Sequence, residues 1–270
     1  MANTITFKDY LQSLTLKQDP DLTDTALIGD SSDDFTPAKS NINNLSVIRA
    51  GECTGSTVRS GSNNNVDAIF GTVSGGSCNS VTASRATIVG GNQNTASGTY
   101  SFIGSGRCNQ TLATFTTIGG GLSNQVHAQQ GTIAGGRVNR VCDINATVGG
   151  GEGNHATGRG SIISGGESNT SSGCNSTVSG GRGNTASGNR STVSGGCINT
   201  ASGHYTGILG GKSNHTCGCS HAFIVGSNIC ATAACTTFVN CLNIVNIPTS
   251  DPGIAGTVWN DSGDLKISAG

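Results

Sequence analysis

The residues of this chain best suited to hold a metal ion are His215, Cys217, Cys219 and His221. Imidazole nitrogens and thiolates are suitable ligands for zinc or iron. In an extended strand, alternate residues share one face, so the four side chains would align. Such a strand also spreads the ligands too far for a tetrahedral site, which normally has a turn between ligand pairs. The pattern therefore favours ordinary variable positions, and we expect no metal centre and no cofactor, with these four residues as the candidate ligands.

Groups for acid–base catalysis are sparse. A glycosidase needs two carboxylates at a set separation, whereas we interpret the acids of residues 56–222 as dispersed, with no shared repeat position. These acids are Asp67, Asp143, Glu152 and Glu167. The histidines at 127, 155 and 204 have no serine or aspartate partner that recurs in register. The sequence predicts that the protein is not an enzyme.

A column of asparagines recurs with a constant 15-residue spacing and organises the middle of the chain. Such a fixed short period indicates a solenoid built from stacked, similar coils. Stacked asparagine side chains are expected to form a hydrogen-bonded ladder. The column comprises Asn64, Asn79, Asn94, Asn109, Asn124, Asn139, Asn154, Asn169, Asn184, Asn199 and Asn214.

Other repeat positions predict the path of each coil. A branched apolar residue stands nine positions after each asparagine, from Val73 to Ile208, and Phe223 extends the series. A Thr-Val-Ser segment predicts a short strand whose middle residue points inward, and Asn-Thr-Ala-Ser predicts a second strand with alanine inside. Paired glycines permit the turn between them. The fold class is therefore all-β, a 15-residue-repeat β-solenoid.

The interior of such a coil is thin, with one valine or isoleucine and one small residue. Burial of so little apolar surface offsets only part of the entropy that is lost when a whole coil becomes ordered. We therefore expect a homotrimer in which neighbouring copies supply a further wall.

The repeat resembles the head repeats of trimeric autotransporter adhesins and, more closely, the related repeats of bacteriophage fibre proteins. The similarity lies in Ser-Thr-Val-Ser-Gly-Gly-x-x-Asn-Thr-Ala-Ser-Gly at residues 176–188 and 191–203 and extends over roughly 56–228. The adhesin unit is usually one residue shorter, so the match is one of kind. The resemblance implies a trimeric left-handed β-roll.

The flanking segments extend this resemblance. Residues 247–268 are similar to the closing segment of many phage virion proteins, and the opening of the chain is similar to that of phage proteins that attach to a capsid or tail. We expect an N-terminal virion anchor over residues 1–47, a β-roll shaft over 48–240 and a C-terminal β cap over 241–270. The expected function is a phage head or tail fibre on the virion surface, which contacts a capsid or tail protein and projects towards a host glycan or protein.

Composition excludes several other classes. Charged residues make up 11% of the chain and the net charge is −1, which is too little positive charge for a nucleic-acid surface. No apolar run is long enough for a membrane-spanning helix, and the N-terminus does not resemble a secretory signal. The odd number of cysteines, 11, fits reduced thiols better than a complete disulfide framework.

Two alternatives stay open. A bacterial trimeric adhesin head would have the same coils but would need a signal peptide or membrane anchor. An ice-binding β-solenoid would rank threonines on a flat face, and one such rank occurs here, interrupted at Phe102, Ile162 and Gly207. That rank contains Thr72, Thr87, Thr117, Thr132, Thr147, Thr177 and Thr192.

Overall fold

The computed structural model describes residues 57–58, 61–243, 245 and 247–269. Every regular element in these ranges is a β-strand, so the predicted all-β class is confirmed. Accordingly, no helix in this part of the chain has the length and apolar character needed to cross a membrane. The predicted anchor over residues 1–47 lies outside the described residues.

The first sheet has 13 parallel strands, one from each successive coil. Its strands mostly begin with threonine and end with valine or isoleucine, residues whose branched side chains favour a pleated surface. The strands are β1 (Thr57–Val58), β3 (Thr72–Val73), β5 (Thr87–Ile88), β7 (Phe102–Ile103), β9 (Thr117–Ile118), β11 (Thr132–Ile133), β13 (Thr147–Val148), β15 (Ile162–Ile163), β17 (Thr177–Val178), β19 (Thr192–Val193), β21 (Gly207–Ile208), β22 (Phe223–Val225) and β23 (Thr237–Val239).

The second sheet has ten parallel strands that alternate with those of the first along the chain. Each begins directly after an asparagine of the repeat column. The strands are β2 (Asn65–Val66), β4 (Ser80–Val81), β6 (Thr95–Ala96), β8 (Gln110–Thr111), β10 (Gln125–Val126), β12 (Arg140–Val141), β14 (His155–Ala156), β16 (Thr170–Ser171), β18 (Thr185–Ala186) and β20 (Thr200–Ala201).

A third row of parallel contacts consists of single-residue bridges, each located shortly before an asparagine of the column. It runs from Ser62 to Lys212 and contains half of the charged residues of the coils. In the regular coils, all three rows pair residues at equivalent repeat positions, for example Thr177 with Thr192 and Arg137 with Glu152. The predicted β-solenoid with a 15-residue repeat is therefore confirmed.

The tight turn between the two sheets requires glycine. Gly76 has φ +88°, and a Cβ atom at this residue would lie 2.1 Å from the carbonyl oxygen of Gly91 in the next coil. The second glycine of each pair is in the same situation, because the backbones of successive coils approach directly at this corner. This contact explains why the glycine recurs without substitution from Gly61 to Gly211.

A single chain closes its own interior. In the coil that begins at Thr177, the side chains of Val178, Asn184, Ala186 and Ser191 are all 0% exposed. The valine and the alanine point inward, as the strand pattern predicts. One chain therefore covers these interior side chains by itself, and the homotrimer expected from the small apolar area that each coil buries stays a prediction. Any partner copy would pack on the outside of the coils.

Side-chain sizes inside the solenoid are matched between successive coils. The residue directly before each first-sheet strand lies inside the solenoid. It lies between two inward-facing residues of the second sheet, one from its own coil and one from the next coil. Gly131 occupies this position between Val126 and Val141, and a Cβ atom there would lie 2.6 and 2.8 Å from their Cγ1 atoms. Serine stands at the same position in coils whose second-sheet residues are alanine or serine, as at Ser176 and Ser191. Small and large residues thus alternate so that the core is filled without overlap.

The coil that follows Asn214 is longer than the others by a single inserted residue. Gly207 pairs with Phe223 and Ile208 with Ile224, so the register shifts by one position, and a turn at Cys217 and Gly218 accommodates the insertion. Phe223 is therefore 49% exposed, and Ile224 takes the buried position. The prediction that Phe223 continues the inward column is wrong, because such a shift moves a side chain to the opposite face of a strand.

The C-terminal region ends in an antiparallel hairpin of strands β24 (Val258–Asp261) and β25 (Asp264–Ile267). Trp259 lies opposite Lys266, whose ammonium group is 5.7 Å from the ring centroid. Within the predicted 241–270 cap, the structure thus contains a small two-stranded β element.

Candidate functional surfaces

The asparagine column forms a continuous hydrogen-bonded ladder inside the solenoid. From Asn79 to Asn214, each backbone N–H donates to the side-chain oxygen of the asparagine one coil earlier, at 2.9 to 3.0 Å. The last asparagine, Asn214, accepts from the backbone of Ile229 at 3.1 Å. The ladder therefore connects side chains mainly to backbone, rather than amide to amide.

Asn154 shows the complete set of contacts. Its Nδ2 donates to the carbonyl oxygens of Gly150 and Gly166, both at 2.9 Å, and its Oδ1 accepts the N–H of Asn169 at 3.0 Å. The side chain thus links its own turn, the next turn and the next asparagine. Because only an amide offers donors and an acceptor in this shape, asparagine recurs without change.

The candidate metal ligands do not lie on one strand. Residues 215–221 form a bridge and two turns, so the extended geometry considered for them is wrong. Cys217 forms a disulfide with Cys230 in the next coil, Cys219 donates to the carbonyl oxygen of Ala231, and the His221 ring stacks on Tyr205 at 5.0 Å. His215 Nδ1 accepts the N–H of Cys217 at 2.7 Å. In the described residues, no group of three or more His, Cys, Asp or Glu side chains converges to hold a metal.

Two carboxylates are closer in the fold than the sequence interpretation allowed. Glu152 and Glu167 occupy equivalent positions of successive coils and pair in the third row, so the statement that the acids share no repeat position is wrong. Each is held by an arginine: Glu152 forms an ion pair with Arg137, and Glu167 lies 3.7 Å from Arg182. All four side chains are at least half exposed, so these pairs are solvated surface contacts.

The histidines considered for catalysis lie in separate settings. His127 Nε2 is 3.2 Å from the side-chain oxygen of Gln125, and burial together with the nearby Arg140 lowers the pKa of His127. His155 is exposed on the second sheet, and His204 Nδ1 accepts the N–H of Asn189.

One face of the solenoid is free of charge. It is the outer surface of the first sheet between β3 and β21, where backbone and side chains form a shallow, repetitive surface. We call it the neutral face. The residues are Thr72, Ser74, Thr87, Val89, Phe102, Gly104, Thr117, Gly119, Thr132, Ala134, Thr147, Gly149, Ile162, Ser164, Thr177, Ser179, Thr192, Ser194, Gly207 and Leu209.

Several apolar side chains protrude from the neutral face. Val89 is 48% exposed and Leu209 is 62% exposed, and Phe102 and Ile162 replace threonine in the outer column. The third row, in contrast, contains Arg107, Lys212 and the two arginine–glutamate pairs. The distribution of charge therefore distinguishes one side of the solenoid.

One corner of the solenoid carries a stack of large planar side chains. Phe70, Arg85, Tyr100 and Phe115 occupy equivalent positions in four successive coils, and we call them the aromatic ridge. The Arg85 guanidinium carbon lies 5.6 Å from the Phe70 ring centroid and 5.2 Å from that of Tyr100. The Tyr100 and Phe115 rings stack with centroids 5.0 Å apart and planes 12° from parallel. The residue types of the ridge did not suggest a site by themselves. The constant 15-residue spacing of these four positions is the sequence signal that could have revealed it.

Comparison of the chain with known protein families and with curated proteins finds no match.

Proposed function

We propose that this protein is a non-enzymatic structural fibre of a bacteriophage virion. In this proposal a homotrimeric β-roll projects from the head or tail and aids attachment to the host surface. The single observation that supports it best is the continuous stack of parallel coils, which keeps one register from β1 to β21. A solenoid of about 12 coils spaced about 4.8 Å apart spans on the order of 55 Å, which suits a spacer.

The interior supports a passive role for the shaft. It is filled by aliphatic side chains, small residues and the asparagine ladder, and the ladder joins successive coils from Asn64 to Ile229. Interlocked identical coils resist bending and local opening, which is the mechanical property that a projecting fibre needs.

The neutral face is the surface that best fits a contact between copies. Burying charge at an interface is expensive, and this face has none to bury. Glycine, serine and alanine allow close approach, while Phe102, Ile162 and Leu209 offer apolar area. A copy of the same chain has the same coil repeat, so it can match this face along its whole length.

The trimer is tested by the mass of the purified chain in solution and by a charge placed on the neutral face. We expect a mass three times that of one chain. Ala134→Arg should lower the association state, whereas Leu122→Arg, in the charged third row, should leave it unchanged. A monomeric wild-type mass would remove the trimer from the proposal.

The virion assignment is tested separately, by imaging particles that lack the gene. Loss of a thin appendage and slower adsorption to host cells are expected. Unchanged particle morphology together with unchanged adsorption would overturn the fibre assignment. Detection of the chain on a bacterial outer surface would instead favour the adhesin alternative.

The threonine rank on the neutral face favours ice binding as a second candidate. Threonines 72, 87, 117, 132, 147, 177 and 192 share one register in the first sheet and are partly exposed. Phe102, Ile162 and Gly207 interrupt this rank. Thermal hysteresis that is abolished by Thr147→Lys would support this candidate over a fibre, and its absence would remove it.

A further inference from the structure

We propose that the aromatic ridge binds an acidic polysaccharide through Arg85. This inference rests on the proposed attachment function and names the chemical class of the receptor. The ridge is solvent-exposed: Phe70, Tyr100 and Phe115 are 50%, 47% and 56% exposed, respectively. No described acidic side chain lies within ion-pair distance of Arg85.

The stacking determines which parts of these groups are presented to solvent. An aromatic ring is electron-rich on its faces and electron-poor at its edge. In the ridge, Tyr100 and Phe115 cover one face of each other and the Arg85 guanidinium group lies over Phe70 and Tyr100, so ring edges contribute to the exposed surface. The five N–H donors of a guanidinium group lie in its plane. The Arg85 guanidinium group lies over the Phe70 and Tyr100 rings and makes no hydrogen bond to another described side chain, so its donors are available to a carboxylate or sulfate, which can accept two hydrogen bonds.

The residues that precede the ridge favour a saccharide as the carrier of this anionic group. Ser84, Thr99 and Thr114 stand immediately before Arg85, Tyr100 and Phe115 and are partly exposed. Hydroxyl side chains beside a positively polarised edge match a ligand that is rich in hydroxyls and carries an acidic group. The ridge extends over four coils, so it suits an extended polymer better than a compact ligand.

The backbone conformation of the ridge recurs at this position throughout the repeat. All four ridge residues have left-handed conformations, with φ between 57° and 59°. Large side chains are disfavoured there by roughly 1–2 kcal/mol each, and only part of that is recovered by stacking. Later coils place Asn145, Gly160 and Asn175 at this position, residues that tolerate the conformation, but also Gln130, Arg190 and Tyr205. The turn therefore places the side chains at this position above one another at an exposed corner of successive coils.

Arg190 provides an internal control because it occupies the same repeat position in a later coil. It also stacks on an aromatic ring, with its guanidinium carbon 5.2 Å from the Tyr205 centroid. However, Arg190 donates a hydrogen bond to the Tyr205 hydroxyl. Its donors are thus partly occupied within the chain, whereas Arg85 has rings on both faces and no such bond among the described residues.

The test is equilibrium binding of the full chain to polygalacturonate, dextran sulfate and neutral dextran. We expect one or both acidic polymers to bind, neutral dextran not to bind, and affinity to fall as salt increases. Arg85→Gln should weaken binding about tenfold or more, as expected for loss of a charge-assisted pair. Arg190→Gln should leave it within about twofold. Glutamine occurs naturally at this position in Gln130, so both variants are compatible with the backbone.

The two acidic polymers distinguish a carboxylate ligand from a sulfate ligand, and either supports the proposal. Three results would overturn it: no binding of either acidic polymer, equal binding by Arg85→Gln and wild type, or equally tight Arg85-dependent binding of single-stranded DNA. Phe115→Gln gives a second variant, with weaker binding expected if the ridge acts as a unit. Because the assay needs neither virions nor a particular association state, its failure is separable from failure of the fibre proposal.

Discussion

Removing one rung of the asparagine ladder should destabilise the solenoid far more than its small change in volume suggests. In Asn154→Ala, the buried N–H of Asn169 loses its acceptor, and the carbonyl of Gly150 loses its donor. Gly166 keeps a partner, because its carbonyl also accepts the N–H of Glu152 at 2.9 Å. An unsatisfied buried donor costs about 1–3 kcal/mol and each lost hydrogen bond about 1 kcal/mol, so we expect about 2–4 kcal/mol.

Asn154→Asp separates hydrogen bonding from shape. The substitution keeps the side-chain volume and one acceptor oxygen. It replaces the amide nitrogen, which lies 2.9 Å from two carbonyl oxygens, with a carboxylate oxygen that those carbonyls repel. We expect a loss at least as large as that of Asn154→Ala at neutral pH. The loss should shrink as the pH is lowered from about 7 towards about 4, because a protonated carboxyl group donates one of the missing bonds.

The assay is urea unfolding followed by circular dichroism, combined with hydrogen exchange at the amide of Asn169. Asn189 is the matched control, since its side-chain oxygen also accepts a backbone N–H one coil away, that of Cys174, but at the surface. Asn189→Ala should lower the free energy of unfolding by about 0.5 kcal/mol or less. Equal losses for the two alanine variants, or unchanged protection at Asn169, would refute the assignment of the ladder as the main tie between coils.

Three further substitutions test the packing and the end of the solenoid. Gly131→Ala should cost about 1–3 kcal/mol because its Cβ overlaps two valines, and adding Val141→Ala should recover part of that loss in a double-mutant cycle. Additive losses in the cycle would contradict the matched interior. Ile224→Ala should lower the free energy of unfolding in urea by about 2–5 kcal/mol and Phe223→Ala by much less, since only Ile224 is buried. The reverse order would support the register predicted from the sequence, in which Phe223 points inward. Cys217→Ser should lower stability by about 2–3 kcal/mol and make unfolding insensitive to a dithiol reductant, whereas a reductant effect that persists would place the disulfide elsewhere.

The sequence predicted the solenoid because the coil is almost entirely a local structure. Each turn is specified by glycines at fixed positions and each strand by a short apolar pattern, and parallel stacking repeats the same environment in every coil. Val178 and Ala186 were therefore correctly predicted to point inward. The same strict spacing predicted that Asn154 and its equivalents form a ladder, which the hydrogen bonds show.

The sequence failed where the period ends. After Asn214 no asparagine marks the phase, because Ile229 stands at the next position, and the longer coil at Cys217 and Gly218 was not detected. Phe223 was consequently assigned to the wrong face.

Two further properties depend on contacts between coils and were decided by the tertiary structure alone. Whether one chain closes its own core depends on how side-chain volumes such as those of Val126, Gly131 and Val141 combine across neighbouring coils. The disulfide between Cys217 and Cys230 likewise depends on the path of the irregular coil. A repeat defines the environment that all coils share, whereas packing between particular neighbours arises only when those neighbours are brought together in space.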